Sequence, residues 1–389
     1  MKPRVAVVHP QLVPGGGSEA CAMWTVQALQ DESRVTLITM GRPDLEALNR
    51  GCGSSVVGSR IEVRSLAIPP GTRTRFDALR GFRLARYCRR HARAFDVMIS
   101  TYNVMDFGVA GIQRIGDFSF DDNLRRELHA GTGAADRGYY KASAGRSLYL
   151  ALARVLAGGK RDGWKRNRTV ANSEWTRGLL LDRFGVASEV IYPPIAGGCP
   201  KVPWEEREDG FVVMGRPVPE KGLRTVIEIL GDVRREKPIH LHILGRRGRT
   251  AYAREIEEIC RHNRDWVRFE GEVYGPEKEE LLAGHKYGIS GCRNEAFGIA
   301  VGETVKAGAI VWVPAGGGQT EIVAHPSLIY SGREDAVALI LAALGDPARE
   351  AGLRHHLEAR AAAFSTGRFV DGMRALVRDF LEEGHVHPA

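Results

Sequence analysis

Short apolar runs alternate with longer amphipathic stretches along most of the chain. Short apolar runs are typical of buried strands in parallel sheets, and the amphipathic stretches are typical of the helices between them. We therefore predict an α/β fold made of strand–helix–strand units. In the first half, the predicted strands are Arg4–His9, Val35–Thr39, Ile61–Leu66, Val97–Thr101 and Thr169–Ala171, and the helices include Ala20–Leu29 and Phe76–Arg93.

The series of strands restarts after a segment rich in proline and glycine, Val190–Gly198. Such a segment interrupts regular structure and suits a linker between domains. We therefore expect two similar Rossmann-like domains that face each other across a cleft, where ligands usually bind. The predicted strands of the second domain are Phe211–Met214, Ile239–Leu244, Val267–Phe269, Tyr287–Ser290, Ile310–Val313 and Leu328–Tyr330.

Composition narrows the class of protein. A length of 389 residues has room for two domains, and a formal charge of +8 favours anionic partners such as nucleotide sugars, anionic lipids or nucleic acid. The six scattered cysteines include no Cys-x-x-Cys and have no histidine at ligand spacing, so neither a disulfide framework nor a zinc site is indicated. This cysteine usage favours a reducing cytoplasm, with peripheral association on the inner face of the membrane as a further possibility. The first residues also lack the layout of a signal peptide, and no apolar run approaches the roughly 20 residues of a membrane span.

A glycine turn, Gly15-Gly16-Gly17, follows the first predicted strand and precedes a predicted helix. Backbone N–H groups and the positive end of the helix dipole at such a turn can approach a phosphate or a sugar closely. The turn is not G-x-G-x-x-G, which disfavours dinucleotide binding. The alternative is a loop that needs glycine only for its shape.

Two cations follow the first strand of the second domain. Arg216 and Lys221 stand five positions apart, just after Gly215. Arginine offers a fork for phosphate oxygens and lysine a point charge, so the pair suits the charge that develops on a diphosphate leaving group. The alternative is two solvated surface charges beside a proline turn.

Two carboxylates, Glu295 and Glu303, stand eight positions apart with an apolar segment between them. If a helix starts near Phe297, Glu303 lies almost two turns into it, and the N–H groups of Phe297, Gly298 and Ile299 face a phosphate. We then expect Glu303 to accept hydrogen bonds from a ribose and Glu295 from a sugar. The alternative is an ordinary helix with glutamates on its solvated face, although the apolar surroundings disfavour unpartnered carboxylates.

Together these residues resemble the retaining glycosyltransferases of family 4, which share the two-domain GT-B fold. Glu295 and Glu303 reproduce the E-x7-E element of the family, and Arg216 with Lys221 is similar to its diphosphate pair. Further similar segments are Val170–Thr176, Val190–Ile195 and the second glycine turn Gly316-Gly317-Gly318 with Glu321-Ile322-Val323.

The resemblance implies transfer of a hexosyl group from a UDP- or GDP-sugar to an acceptor glycan, glycolipid or small molecule, with retention of configuration. It implies no metal, and the sequence has no Asp-x-Asp to hold one. It further implies that Gly16 and Gly17 line the donor phosphates and the acceptor. The domains would span 1–190 and 191–365, and residues 366–389, with a final helix over Phe369–Leu381, would cross back to the first domain.

The sequence departs from this family at one position. Many members carry a histidine after a strand of the first domain, near the C6 hydroxyl of the sugar, whereas the corresponding segment here, Ile112–Asp122, has none. Asp117 is the expected substitute. Asp121 is the alternative within the segment, and His9 and His129 are the nearest histidines.

The stretch Phe76–Phe95 is strongly basic, with Arg83, Arg86, Arg90 and Arg93 at helical spacing. Basic amphipathic helices bind anionic membrane surfaces, so peripheral membrane contact and a lipid-linked acceptor form a hypothesis. A second basic cluster covers 160–168. The alternative is a helix that packs on the sheet and leaves its arginines in solvent.

Two other readings of the sequence remain open. Another GT-B enzyme, such as a sugar-nucleotide epimerase or a phosphorylase, shares the architecture. A nucleic-acid-binding protein would share the basic charge, but the chain has no recognition motif and no aromatic residues interleaved on the basic face.

Overall fold

A computed structural model of the chain describes residues 1–68, 77–130 and 144–384. Its described part contains two all-parallel sheets, one of seven strands and one of six, each flanked by helices. The predicted α/β class is confirmed. Both sheets have strand orders that begin 3-2-1-4-5-6 in their own numbering, which is the order of a Rossmann-like domain.

The first sheet has the order β3-β2-β1-β4-β5-β6-β7 and the second the order β10-β9-β8-β11-β12-β13. Central strands are buried on both faces: Val5, Ala6, Val7 and Val8 of β1 are all fully buried. In chain order the strands are β1 Arg4–His9, β2 Arg34–Met40, β3 Ile61–Leu66, β4 Val97–Ser100, β5 Ile112–Ile115, β6 Arg168–Ala171, β7 Glu189–Val190, β8 Glu208–Met214, β9 His240–Leu244, β10 Val267–Gly271, β11 His285–Ile289, β12 Ile310–Pro314 and β13 Ile329–Tyr330.

Helices connect most of the consecutive strands, since neighbouring parallel strands need a crossover connection; β4 and β5 are joined without a helix. In chain order, the described helices are α1 Gly17–Leu29, α2 Leu45–Cys52, α3 Asp77–His91, α4 Asp122–Leu128, α5 Ala144–Ala157, α6 Glu174–Phe184, α7 Leu223–Arg234, α8 Ala251–His262, α9 Gly275–Ala283, α10 Ile299–Lys306, α11 Gln319–Val323, α12 Arg333–Leu344, α13 Pro347–Ala361 and α14 Thr366–Glu382.

The chain divides into two compact units. The first contains Met1–Arg125, the described part of 139–194, and α14; the second contains Ile195–Ser365 together with the described part of 126–138. Near the two chain crossings, Ile195 forms a parallel bridge with Ser365, and its N–H donates to the Phe364 carbonyl at 3.1 Å. The residue at which the chain enters the second unit and the residue at which it leaves are therefore hydrogen-bonded neighbours within that unit. The change of unit falls after Pro194, four residues beyond the expected boundary at 190.

Each strand predicted from the sequence is present, with its ends shifted by at most a few residues. Two short strands, β5 and β7, were not predicted. In β5, the polar pair Gln113 and Arg114 interrupts the apolar pattern, although both side chains are buried. Helix α1 begins at Gly17 rather than Ala20, and Phe76, the first residue of the predicted basic helix, lies outside the described residues.

None of the described helices combines the length and the apolar character that crossing a membrane requires.

Candidate functional site

Lys221 and Glu295 form an ion pair at the carboxyl edge of the second sheet. Their side chains keep only 29% and 25% of their surface exposed. Burial opposes the charge of Lys221, but the Glu295 carboxylate outweighs it and raises the pKa of the ammonium group. Burial likewise opposes the charge of Glu295, and Lys221 outweighs it, holding the pKa of that carboxyl below its usual value. The structure thus brings together two residues that lie 74 positions apart.

A contact between two glycines brings this pair together. Lys221 follows β8 in a 3₁₀ turn over Pro219–Lys221, and Glu295 follows β11, the neighbour of β8 in the sheet. Gly222, at φ +61°, lies so close to Gly291 that a Cβ on either residue would meet the other's carbonyl oxygen, at 2.3 Å and 2.6 Å. Because neither residue has a side chain, the two loops touch through their backbones.

The second glycine turn holds the backbone of Glu295. The N–H of Gly318 donates to the Glu295 carbonyl at 2.8 Å. Gly317, at φ +76°, packs so closely that a Cβ would lie 2.4 Å from the same oxygen. The Gly316–Gly318 turn therefore positions the backbone of Glu295. From the sequence alone, this turn could equally have been a ligand contact or a plain connection between a strand and a helix.

Buried polar groups surround the Glu295 loop. Gln319 is fully buried and donates through Nε2 to the Cys292 carbonyl at 2.5 Å, whereas its Oε1 has no partner among the described residues. Burial, and then the Glu295 carboxylate, raises the pKa of the Cys292 thiol to about 12, so this cysteine is protonated at neutral pH. Neither residue was a sequence candidate, because a lone glutamine or cysteine carries no spacing signal.

Helix α10 starts later than the sequence predicted. Its first residue is Ile299, and Gly298, at φ +100°, is the N-cap. The four N–H groups at the helix start that lack an intrahelical partner are those of the N-cap Gly298 and of Ile299, Ala300 and Val301. Gly298 and Ile299 of the predicted three are therefore among them, and Phe297 is not. The Phe297 side chain belongs to the core, 2% exposed and packed edge-on against Phe364 at 5.6 Å.

Glu303 consequently lies just over one turn into α10 rather than almost two. It forms an ion pair of 2.8 Å with Lys278 of α9. Lys278 is a basic residue of this edge that the sequence analysis missed, since only the fold brings α9 beside α10. Both side chains are about one-fifth exposed, at 19% for Lys278 and 22% for Glu303.

Arg216 remains exposed on the loop that follows β8. Its carbonyl accepts from the N–H of Val218 at 2.7 Å, which forms a tight turn. The structure therefore places Arg216 on the same loop as Lys221, where its guanidinium adds positive potential that opposes the charge of Lys221.

In the first unit, the glycine turn ends at the start of α1. Gly16 is the N-cap and Gly17 the first helical residue. A Cβ on Gly16 would lie 1.9 Å from Oε2 of Glu19, a carboxylate that also accepts from Ser18 Oγ at 2.6 Å. The Glu19 carboxylate thus occupies the space beside Gly16 and places a negative charge at the positive end of α1.

Asp117 lies after β5 in a network of hydrogen bonds. Its Oδ1 accepts from Asn103 Nδ2 at 2.6 Å, and its Oδ2 accepts from the Tyr102 hydroxyl at 3.3 Å. Asn103 adopts φ +59°, and its Oδ1 accepts from the N–H groups of Gly116 and Asp117. The half-buried carboxylate is therefore held in a fixed position, as a functional group requires.

The alternatives to Asp117 have identifiable structural surroundings. Asp121 Oδ1 accepts from the N–H groups of Asn123 and Leu124, both at 2.9 Å, which makes Asp121 the N-cap of α4. His9 is 2% exposed and bonds through Nδ1 to Thr101 Oγ1 at 3.0 Å; burial lowers its pKa to about 3. His129, in the part of the chain grouped with the second unit, lies near enough to Glu295 to help lower that carboxyl's pKa.

Comparisons with known proteins give one family and one fold. Residues 200–363 match the family described as glycosyl transferases group 1. The chain is similar to HepE from Anabaena, solved in complex with UDP and glucose, at 15% identity and a TM-score of 0.69 over 97% of this chain and 100% of HepE. It is also similar to sucrose-phosphate synthase from Thermosynechococcus elongatus, at 15% identity and a TM-score of 0.69 over 98% and 100%.

A third similar structure is WaaG, a glycosyltransferase involved in lipopolysaccharide biosynthesis, at 15% identity and a TM-score of 0.66 over 96% of this chain and 99% of WaaG. No curated protein matches the chain by sequence. At such identities the likeness shows the shared fold, and the expected GT-B fold is confirmed.

The glycine contact generates a prediction about stability. In Gly291→Ala, the new Cβ meets the Gly222 carbonyl oxygen at 2.6 Å and the Lys221 carbonyl oxygen at 2.9 Å. Because both obstacles are backbone atoms, we expect a loss of about 1–3 kcal/mol in the free energy of unfolding.

Urea unfolding of the variant and of wild type measures this loss. The matched control is Gly178→Ala in α6, where nothing lies within 4 Å and Ala should be neutral or stabilising. Equal unfolding midpoints for Gly291→Ala and wild type would contradict the role of the contact.

Proposed function

We propose that this chain is a glycosyltransferase that moves a hexosyl group from a nucleotide-diphosphate sugar to an acceptor hydroxyl, as the match of residues 200–363 to the glycosyl transferases group 1 family supports. The bond between the anomeric carbon and the diphosphate oxygen breaks, a bond to the acceptor oxygen forms, and the acceptor hydroxyl proton passes to the departing diphosphate or to solvent. We further propose retention of configuration and a reaction that needs no metal, as the resemblance to family 4 implies.

The observation that carries the proposal is the Lys221–Glu295 pair beside the start of α10. A diphosphate is an anion that can replace Glu295 as the partner of Lys221. Lys221 can then stabilise the leaving group together with Arg216, while the released carboxylate accepts hydrogen bonds from sugar hydroxyls. Charge stabilisation of this kind lowers the barrier to departure of the diphosphate.

The groups around the pair suit the rest of a nucleotide sugar. The free N–H groups at the start of α10 are donors for phosphate oxygens. Glu303, near the same helix start, is the proposed acceptor for the ribose hydroxyls, with Lys278 as its partner in the absence of ligand. In the first unit, Asp117 is the proposed catalytic substitute for the family histidine, and Gly16 and Gly17 are proposed to approach the donor phosphates and the acceptor.

UDP-sugars are the first donors to test, because HepE is a structural neighbour solved with UDP-glucose. GDP-sugars remain candidates from the resemblance. Among acceptors, a glycan or a glycolipid is favoured by WaaG, a neighbour involved in lipopolysaccharide biosynthesis.

A surface of the first unit supports a membrane-associated acceptor. Helix α3 exposes Arg83, Arg86 and Arg90, whereas its Leu84 and Cys88 are fully buried. Helix α5 packs beside α3, with the Tyr149 hydroxyl accepting from the N–H of Leu79 at 2.9 Å.

The same surface has an apolar stripe. Leu148, Leu152 and Val155 of α5 are 61%, 56% and 76% exposed and recur at helical spacing. Exposed apolar side chains beside several arginines suit the interface of an anionic bilayer, where each cation adds about 1 kcal/mol. In the second basic cluster, Lys160, Arg161, Lys165 and Arg166 are exposed, whereas Arg168 pairs with Glu189 at 2.7 Å. We propose that α3 and α5 bind an anionic membrane peripherally.

The donor can be identified by thermal unfolding with a panel of UDP-, GDP- and ADP-sugars. A ligand that binds only the folded chain raises its melting temperature, by an amount set by its concentration over Kd. We expect a rise with UDP-sugars, or with GDP-sugars, and none with the free sugars. No rise with any nucleotide sugar would contradict the transferase proposal. Interconversion of the sugar on incubation with donor alone would indicate an epimerase.

Variants of Arg216 and Lys221 test whether these two cations stabilise the diphosphate leaving group. Lys221→Ala and Arg216→Ala should each lower kcat by about 100-fold or more, because each removes charge that stabilises the leaving group. The control is Arg235→Ala in a residue 78% exposed on the same unit. Steady-state rates with the donor from the panel measure the effect. Unchanged kcat in both site variants, with the control also unchanged, would exclude the proposed role.

Variants of Asp117 and Asp121 distinguish a catalytic role from a structural one. Asp117→Asn should lower kcat while the melting temperature stays close to wild type, since an amide still fits the network. Asp121→Ala should cost about 1 kcal/mol of stability through the lost N-cap and leave kcat unchanged. If instead His129→Ala lowers kcat and Asp117→Asn does not, the proposed role of Asp117 is wrong and His129 becomes the candidate.

Membrane binding is measured by flotation with vesicles that contain anionic lipid. We expect wild type to float at low salt, and the double variant Leu148→Glu/Leu152→Glu to stay in solution. Leu181→Glu, in a leucine 57% exposed on α6, is the matched control and should float like wild type. Wild type that fails to float, or a double variant that floats equally, would refute the membrane surface.

A further inference from the structure

We propose that the second unit holds a zinc site at the amino edge of its sheet, formed by His240, His242 and His285. One ring nitrogen from each of the three residues lies within 4.8 Å of the other two. His240 and His242 come from β9 and His285 from β11, so the site joins strands that are far apart in sequence. It is the one group of three such ligands found among the described residues.

The sheet brings the three rings together over a glycine. Strand β8 lies between β9 and β11, and in its register Gly210 pairs with His240 while Glu208 pairs with His285. A Cβ on Gly210 would lie 2.2 Å from His240 Nε2. The missing side chain on the middle strand therefore provides the space in which imidazoles from both neighbouring strands meet.

Two of the rings are oriented as metal ligands usually are. His285 Nδ1 bonds to the Leu281 carbonyl oxygen at 2.7 Å, and His242 Nδ1 bonds to Glu270 Oε1 at 2.6 Å. Both acceptors require the proton on Nδ1, which leaves Nε2 with its lone pair free. Metal-binding histidines show this arrangement because the second hydrogen bond fixes the tautomer and the ring orientation.

The spacing of two of the three nitrogens suits a small cation. His285 Nε2 and His240 Nε2 are 3.1 Å apart. Two nitrogens at tetrahedral angles, each about 2.0–2.1 Å from zinc, would be about 3.3 Å apart. Without a metal, this contact needs a proton on one of the two nitrogens; a zinc ion between the rings would use both lone pairs instead.

A fourth ligand is available from the middle strand. Glu208 Oε2 lies 3.3 Å from His240 Nε2, and its side chain is 65% exposed and free to adjust. Three imidazoles and one carboxylate form a ligand set that zinc accepts in tetrahedral sites.

The site is separate from the proposed reaction. Glu208 begins β8 and Met214 ends it, so about 20 Å of strand lies between this edge and the loop of Arg216 and Lys221. A zinc ion here would tie β8, β9 and β11 together and stabilise the second unit. The inference therefore does not depend on the identity of the donor, and it adds a structural metal to a reaction proposed to need none.

The test uses the untagged full chain, stripped with a chelator and then titrated with Zn²⁺ in equilibrium dialysis. We expect one zinc per chain and a melting temperature that rises with zinc. The variant His242→Ala/His285→Ala should lose saturable binding, while the control His355→Ala, in an exposed histidine of α13, should bind like wild type. Wild type with no saturable site, or a double variant that binds equally, would overturn the proposal.

A milder variant covers the case in which the double variant does not fold. Glu270→Gln removes only the carboxylate that orients His242 and should weaken zinc binding by about 10–100-fold. Co²⁺ bound in place of Zn²⁺ should give the visible absorption of a tetrahedral complex, and His240→Asn should abolish it. Co²⁺ binding and a Co²⁺ spectrum that His240→Asn leaves unchanged would show that these rings are not ligands and would overturn the proposal.

Discussion

The carboxyl edge of the second sheet is organised by one ion pair, Lys221 with Glu295. Either charge alone would be costly at this depth, since removing one partner of a buried pair leaves the other without compensation. The pair exists because backbone contacts fix both residues: Gly222 against Gly291 on one side, and the Gly316–Gly318 turn against the Glu295 carbonyl on the other. The glycines of this segment thus determine where the charges lie, even where they do not touch a ligand themselves.

Glu303 is likewise a partly buried carboxylate that is compensated by a cation, because it forms an ion pair with Lys278. Without a ligand, this edge therefore carries two cations that are already neutralised by carboxylates, and Arg216 remains as an exposed positive charge. An incoming dianion would redistribute partners that are already in place and would not have to order loose side chains. Prealigned groups of this kind lose little entropy on binding.

Much of the fold could be predicted from the sequence because buried parallel strands are apolar and short. The prediction failed at β5, where Gln113 is buried but satisfied by Thr169 and Asn167, partners that no local pattern reveals. The start of α10 was placed two residues early, because Phe297 looks like the first apolar residue of a helix although its ring fills the core. Lys278 and His285 were not predicted because their partners lie on other helices or strands. His240 and His242 are two residues apart on one strand, but the third ring that completes the group comes from β11.

Helix α14 follows the whole second unit in sequence but belongs to the first, where it packs against α1 and Arg374 Nε donates to the Ala28 carbonyl at 2.8 Å. During synthesis, the sheet of the first unit is therefore complete long before the helix that covers α1 has left the ribosome. The second unit, with its strands and helices nearly contiguous from Ile195 to Ser365, has no such delay. Although it is translated later, it can finish folding first, and until then the first unit exposes apolar surface on α1 that α14 will cover.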